Sequence, residues 1–569
     1  MQTILKLIMA VTLALIGTAA SFAALTHAAG PGDLDPTFGS SGVVTTTIGA
    51  GSQGLSLAVQ PDGKILAAGV AGTNDVGGLA LVRYTANGSL DTSFNGTGIV
   101  TSPLYIEPYH MALQTDGKIL IAGAKYKEPT NPGLPVFTVL RFTAAGMPDT
   151  TFNGTGIVTA GLESSSAWSV IPRPNGKIVA VGSREVSSAT LPDIYEAVVM
   201  RFNSNGSPDT TLNGTGIVTT FIDSYGDLGG LGAVQPDGKI LVAVTQQYPK
   251  TGSGTHSDFA TLRYKVDGSL DTTFGGTGLV TTDFDGNSGY DWPFSGVSLL
   301  PDGRIVVAGS NIPSTGSSGS IAVARYLPNG TPDTTLNGVG AITQPVTLDV
   351  SADYYNPGRM AIQPNGQIVI VGSQQRFAST PPYDITYQGG VFRLNEDGSF
   401  DASFGNAGTK KLSAGTGITY PVALQVDGKI VIGSWPGDGS PYFMIHRLLA
   451  DVAPPILPVS SLLNPPDQVP LTDAQPRFDW LDAKDDFGVV SYTLTLTRTD
   501  ASLTTQVTTV FTSPISEYQP TAPLPDGSYR WSVQAFDVTG SASQRVAPRS
   551  FSLQANEIYG IYLPLITKS

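Results

Sequence analysis

The chain contains no cysteine. Disulfides and lipid attachment through an N-terminal cysteine are therefore excluded, and stability must come from packing. Charge is scarce too: 13% of residues are charged, and acids outnumber bases 45 to 31, for a net −14. Nucleic-acid binding needs a basic surface that releases phosphate counterions, so no nucleic-acid partner is expected. An anionic membrane surface is disfavoured on the same ground, and the acidity reads as solubility. Catalytic signatures are missing as well. There is no His-Glu-x-x-His, no Gly-x-Ser-x-Gly and no phosphate loop, and His110, His256 and His446 fall in no metal-ligand spacing. No cofactor and no metal are expected. Asp283, Asp285, Asn287 and Asp291 have the spacing of a calcium loop. Ser288 and Phe294, however, stand where that pattern wants glycine and a bidentate glutamate, so a solvated acidic loop is the plainer reading.

Glycine (67) and proline (41) are abundant, and 41% of the 569 residues are hydrophobic, which suits a β-rich protein with many tight turns. The N-terminus reads as a signal peptide over residues 1–29. Lys6 supplies the positive start, Leu7 to Ala20 the apolar run, and cleavage is expected near Ala28. No transmembrane span is expected after that cleavage, and the localisation expected is secreted or cell surface.

Three patterns recur seven times. Asp-x-x-Phe/Leu starts at Asp35, Asp91, Asp149, Asp209, Asp271, Asp333 and Asp401, spaced 56 to 68 residues apart. A Pro-Asp-Gly-Lys-Ile turn has its glycines at Gly63, Gly117, Gly176, Gly238, Gly303, Gly366 and Gly428. An arginine closes an apolar run at Arg83, Arg141, Arg201, Arg263, Arg325, Arg393 and Arg447. In the first copy four strand-like runs, a to d, cover Val43 to Thr47, Leu55 to Gln60, Lys64 to Gly69 and Leu79 to Tyr84. The Asp-Gly between b and c predicts a type I′ hairpin. Four antiparallel strands repeated seven times predict a seven-bladed β-propeller over residues 33–449. Each arginine precedes an aspartate by eight residues, except Arg447; Asp35 has no arginine before it. Closure should therefore bring Asp35 and strand Val43 to Thr47 into the last blade, removing the exposed edges. The recurring Arg and Asp are expected to form ion pairs and turn-capping bonds, since residues present in every blade serve every blade's packing.

Gly88-Ser89-Leu90-Asp91-Thr92-Ser93-Phe94 and Gln60-Pro61-Asp62-Gly63-Lys64-Ile65 resemble the motifs of the delta-60 repeat proteins. The resemblance covers roughly three-quarters of the chain. It implies a bacterial, often exported propeller of unassigned activity, with no catalytic residues to carry over. Thr115 and Val426 replace the turn proline, Gln367 the lysine, and Leu212 and Leu336 the phenylalanine.

Residues 450–458 hold Pro454, Pro455 and Pro458 and read as a stiff linker. Over residues 459–555, alternation at Tyr492, Leu494 and Leu496, and at Tyr529, Trp531 and Val533, predicts an Ig/fibronectin type III-like β-sandwich with Trp480 and Trp531 in its core. Gly527 to Val533 resembles a late strand of bacterial fibronectin type III-like domains. Residues 556–569 form a tail, read either as a sorting signal or as a final strand.

Parity places the b–c turns and d–a connections on one face and the a–b and c–d loops on the other. The first face is nearly invariant; the second varies in every blade, which is how repeat folds carry function. Unrepeated aromatics and one histidine fall in the a–b loops: Tyr109, His110, Trp168, Tyr225, Tyr290, Trp292, Tyr354, Tyr355 and Tyr420. Polar partners lie among them at His110, Asp227, Asp291, Asp353 and Arg359, and aromatic faces with such neighbours suit sugar rings. The expected role is a non-enzymatic binding or adhesion surface, with a polysaccharide or cell-surface component as partner. The alternative is a secreted glycosidase or lyase using carboxylates such as Asp291 and Asp353 on the variable face.

Overall fold

The computed structural model describes residues 30–48, 52–73, 76–127, 133–186, 194–225, 230–249, 255–286, 289–313, 319–348, 354–377, 385–412, 416–436, 442–449, 457–458, 461–483, 489–499, 507–513, 515–537 and 542–554. The expected signal peptide, most of the linker and the C-terminal tail lie outside these. Every regular element among the described residues is a strand.

Antiparallel four-stranded sheets follow one another along the chain. The first joins β2 (Ser52–Val59), β3 (Ile65–Thr73), β4 (Val76–Tyr84) and β5 (Ile99–Ser102). The second joins β6 (Ile106–Leu113), β7 (Ile119–Lys125), β8 (Val136–Phe142) and β9 (Ile157–Glu163). The third joins β10 (Ser165–Pro172), β11 (Ile178–Val186), β12 (Ile194–Phe202) and β13 (Ile217–Tyr225). The fourth set is β14 (Leu231–Val234), β15 (Ile240–Pro249), β16 (Thr255–Tyr264) and β17 (Leu279–Thr282). The fifth is β18 (Tyr290–Leu299), β19 (Ile305–Ile312), β20 (Ser320–Tyr326) and β21 (Ala341–Pro345). One parallel bridge, Ser257 to Tyr290, splices the fourth and fifth sets together. The sixth sheet joins β22 (Tyr354–Ile362), β23 (Ile368–Phe377), β24 (Ile385–Leu394) and β25 (Thr409–Lys411). The seventh joins β26 (Thr416–Leu424), β27 (Ile430–Pro436) and β28 (Tyr442–Leu448), and its fourth strand is β1 (Val43–Thr47) from the other end of the chain. The register runs from Val43 opposite His446 to Thr47 opposite Tyr442, the pairing expected for this strand.

The sheet is out of phase with the sequence repeat: run a of each repeat is the outer strand of the preceding sheet. Middle strands such as β7 are buried on both faces, which is why they read as unbroken apolar runs. The core lies between sheets. Val179 and Val199 of the third pack with Val242 and Leu262 of the fourth. Leu57 and Tyr84 of the first pack with Val431 and Phe443 of the seventh. Each first strand touches the next, from β2 to β6 onward, and β26 touches β2.

The hairpin turns differ from the type I′ expectation. Gly63 has φ +81°, but Asp62 is not in the left-handed region. The Gly63 amide donates to the Gln60 carbonyl and the Gln60 amide to the Lys64 carbonyl. Pro61 fixes its own φ negative, so the chain makes a type I turn followed by one left-handed glycine, the three-residue hairpin.

The recurring Arg and Asp do what their repetition implied. All seven pairs, Arg447–Asp35 included, stand 2.5 to 2.9 Å apart. Each aspartate also accepts from the Ser or Thr two residues on, as Asp91 does from the Ser93 amide and hydroxyl. The arginines reach onward too: Arg83 donates to the Ala144 carbonyl and Arg447 to that of Ala86. Gln367, where other turns have a cation, still reaches Asp401 at 3.1 Å.

The C-terminal region has two sheets. One joins β29 (Leu462–Asn464), β31 (Phe478–Trp480) and β34 (Glu517–Tyr518). The other runs β30 (Val469–Leu471), β36 (Arg549–Leu553), β35 (Gly527–Asp537), β32 (Val489–Arg498) and β33 (Val507–Ser513). They share one apolar cluster, in which Trp480 and Trp531 are buried.

Candidate functional site

One register position organises the site. The residue seven before each turn glycine is Ser56, His110, Ser169, Leu231, Gly296, Arg359 and Pro421. All of them line one cavity of about 140 Å³. The position is structurally equivalent in every sheet, and its chemistry differs almost every time. Just before it, the ladder between first and second strands shifts register. The shifts fall between Gly54 and Ser56, Pro108 and His110, Ala167 and Ser169, Trp292 and Gly296, Pro357 and Met360, and Thr419 and Val422. Bulges re-aim side chains. Tyr109 and Trp168 are the extra residues of their bulges, and Arg359 lies within its own.

These three groups meet. The Tyr109 and Trp168 rings stack with centroids 4.2 Å apart. Arg359 of the sixth sheet donates through Nη2 to the carbonyls of Tyr109 at 3.2 Å and Trp168 at 3.1 Å, in the second and third sheets. Among the described residues no carboxylate pairs with Arg359. Burial lowers its pKa to about 10, so it stays charged at neutral pH. His110 accepts from the Val170 amide through Nδ1 at 3.2 Å. Burial, then the Arg359 charge, lowers its pKa to about 3, so it is a neutral imidazole and a poor base. The Tyr109 hydroxyl donates to Glu107 Oε2, and Tyr126 donates to the same oxygen at 3.2 Å. Burial and the Glu107 charge hold the Tyr109 phenol far above its usual range.

The other expected residues divide. Tyr290, Trp292 and Phe294 alternate along β18, all half-buried on one face, with Trp292 centred 6.0 Å from each neighbour. Tyr354 is exposed. Tyr355 is a correction: it is 1% exposed and packs edge-on against Phe392, so it belongs to the core. Alternation along β22 puts neighbours on opposite faces, and only one of the two can face out. Trp168 is half-buried, with Nε1 bonded to the Ser183 hydroxyl at 2.9 Å. Tyr225 ends the outer strand β13, and the side chains of Tyr225 and Tyr420 lie outside the described residues. Asp227 and Asp353 lie outside them too. The a–b loop assignment is also corrected: Tyr109, His110, Trp168, Tyr290, Trp292, Tyr354 and Tyr355 sit on first strands. Arg359 is legible in the sequence as a polar neighbour of these aromatics, in register with His110 by its distance from Gly366, but its reach to the second and third sheets is not.

Two further features bear on chemistry. A groove of about 550 Å³ lies on the turn face, lined by Thr115, Asp116, Lys118, Arg173 and Asn205 among others. It is larger than the central cavity, but its walls are the repeated turns. Separately, carboxylate oxygens of Asp258, Asp283 and Asp291 lie within 4.8 Å of one another, the one such group among the described residues. Asp291 is fully buried, which removes it as an accessible general acid.

Six segments of the chain, residues 60–94, 114–152, 173–212, 235–274, 300–336 and 363–404, match a family described as "Domain of unknown function (DUF5122) beta-propeller". Six stretches of the chain are therefore similar to this propeller repeat. Each DUF5122 match runs from a hairpin turn to the Phe or Leu of the next Asp-x-x-Phe/Leu. A seventh set of the same motifs is divided between Gln425 to Leu448 and Asp35 to Phe38, on the two sides of the Arg447–Asp35 pair. No curated protein matches the chain. Among solved structures, the chain is similar to the extracellular domain of a putative hybrid two-component system from B. thetaiotaomicron, at 10% identity and TM-score 0.34, covering 90% of this chain and 57% of that one. It is also similar to a polysaccharide lyase, at 11% identity and TM-score 0.38, covering 70% and 90%. A third is an aldose sugar dehydrogenase from Streptomyces coelicolor, at 13% identity and TM-score 0.31, covering 71% and 98%. Likenesses this loose carry nothing about activity.

Proposed function

We propose that this is an exported seven-bladed propeller of the delta-60 type, closed by β1 and followed by a fibronectin III-like sandwich, and that it binds saccharide through the face bearing the heads of its first strands. Export rests on the N-terminal sequence. The observation that carries the binding reading is the half-exposed row Tyr290, Trp292 and Phe294 beside an axial position that changes from unit to unit. Rings spaced along one strand face offer stacking area to a chain of sugar rings. The central cavity of about 140 Å³ is below the usual size of a ligand pocket, so rings bind across the mouth rather than inside it. Arg359 adds positive charge there and favours acidic saccharides over neutral ones.

The depressed His110 and raised Tyr109 supply no poised base, which favours binding over turnover. The test is calorimetric titration with uronate-containing and neutral oligosaccharides. Acidic chains should bind more tightly. Trp292→Ala should weaken binding by about 1–3 kcal/mol, the range for stacking on an aromatic platform. Arg359→Gln, which removes the charge, should keep affinity for neutral chains while narrowing the acidic preference. Unchanged binding in Trp292→Ala, or steady product release from any of these polymers, would overturn the reading.

A further inference from the structure

We propose that the chain binds a calcium ion between its fourth and fifth sheets, held by Asp258 of β16, Asp283 of the following loop and Asp291 of β18. This is independent of saccharide binding. The loop acids alone would be an ordinary acidic turn. The second observation is Asp258, which comes from a different strand 25 residues upstream of Asp283. It is 7% exposed, its carboxylate takes part in no hydrogen bond or ion pair among the described residues, and it lies within 4.8 Å of the other two acids. The fold builds this meeting. The Ser257–Tyr290 bridge splices β16 to β18, and the Asp291 amide donates to Ser257 Oγ at 3.1 Å, which sets Asp258 beside Asp291.

Asp291 is itself fully buried, and its oxygens take bonds from Asn311 at 2.8 Å and the Phe284 amide at 3.0 Å. Among the described residues no lysine or arginine pairs with Asp258 or Asp291. Buried carboxylates without a counter-charge are costly. Burial and then the Asp283 charge raise Asp258 to about 6, with His256 the only opposing group among the described residues. Burial, together with Asp285 and Asp258, raises Asp291 to about 7. A bound cation offsets this repulsion, and Asp285 adds negative charge nearby. Three carboxylate donors select a hard cation over zinc or copper. Oxygens up to 4.8 Å apart can share a calcium at about 2.4 Å, whereas magnesium at about 2.1 Å pulls its ligands closer.

The test uses the mature full chain stripped with chelator. Calcium should raise the melting temperature at millimolar or lower concentration, the range of extracellular modules. Calcium should also displace terbium, whose luminescence Trp292 and Tyr290, the sequence neighbours of Asp291, are placed to sensitise. Asp283→Asn, at an exposed position, should fold normally and lose at least tenfold in calcium affinity. Asp258→Asn should lose as much, and without calcium should melt no lower than the parent, because a buried charge has been removed. The proposal is overturned if calcium changes neither signal, if zinc or magnesium binds more tightly, or if Asp283→Asn binds calcium as the parent does. That last variant decides the matter even if Asp258→Asn does not fold.

Discussion

The two faces of the repeat array differ in how completely their polar groups are matched. On the turn face each of the seven repeated arginines has its aspartate, and the aspartates are capped by a neighbouring hydroxyl. On the opposite side, among the described residues, a guanidinium has no carboxylate, two buried acids have no lysine or arginine, and a row of aromatics is half-covered. Repetition therefore marks what the fold consumes for itself. Departure from repetition marks what it leaves available.

The largest test of that contrast removes residues 33–47. The seventh sheet then loses its fourth strand and Arg447 loses Asp35. We expect aggregation rather than a folded monomer, read by size exclusion and light scattering, because the edge of β28 is bared. A cooperative monomer would mean that closure matters little.

Next is a turn-face pair. Arg325→Ala takes the nearer of two guanidinium groups from the buried Asp333, leaving Arg304 at 3.1 Å, and gives up the bond to the Glu396 carbonyl. Breaking a buried pair from one side costs about 3–5 kcal/mol; with Arg304 still in place the low end of that range is expected, to be read from urea unfolding. The same face should control acid stability. Hydrogen bonds from Ser93, outweighing burial, lower Asp91 to about 2, with Lys64 and Arg83 assisting. At Asp333 burial acts upward but is overcome by Thr335, Arg304 and Arg325, again to about 2. Folded values below the unfolded one mean that this stabilisation is present above about pH 4 and lost as pH falls towards 2. Melting temperature followed from pH 5 to 2 should drop across that window; a flat profile would count against the pairs.

Two smaller effects sharpen the other face. Tyr355 buries a hydroxyl with no hydrogen-bond partner. Tyr355→Phe should leave saccharide binding untouched and be neutral or stabilising by up to about 1 kcal/mol, since an unmatched polar atom is removed. Trp292→Ala should cost about 1 kcal/mol of stability or less, because only ring contacts with Tyr290 and Phe294 are lost. A loss as large as that of Arg325→Ala would reclassify the aromatic row as core.

What could be read in the sequence was what repeats. Seven turn glycines, seven arginines and seven aspartates located the sheets, and the unmatched Arg447 and Asp35 foretold their meeting. Local chemistry sufficed there: a left-handed glycine, a charge pair at fixed offset and a β-branched run each act over a few residues. The turn departs from the Asp-Gly preference because Pro61 overrides it, and Tyr355 is core because it sits on a strand, where alternation turns one of two neighbours inward. The candidate site was legible only in part. Tyr109 and Trp168 stood out as unrepeated aromatics, but their stacking and the reach of Arg359 to both carbonyls depend on bulges and on sheets 191 and 250 residues apart in sequence. Asp258 had no local signal whatever, since one bridge between separate sheets brings it to Asp291. Sequence alone determined the repeated scaffold, because its forces are short-ranged and recur. Tertiary structure alone decided which unrepeated groups converge, because that depends on how the sheets are arranged about one another.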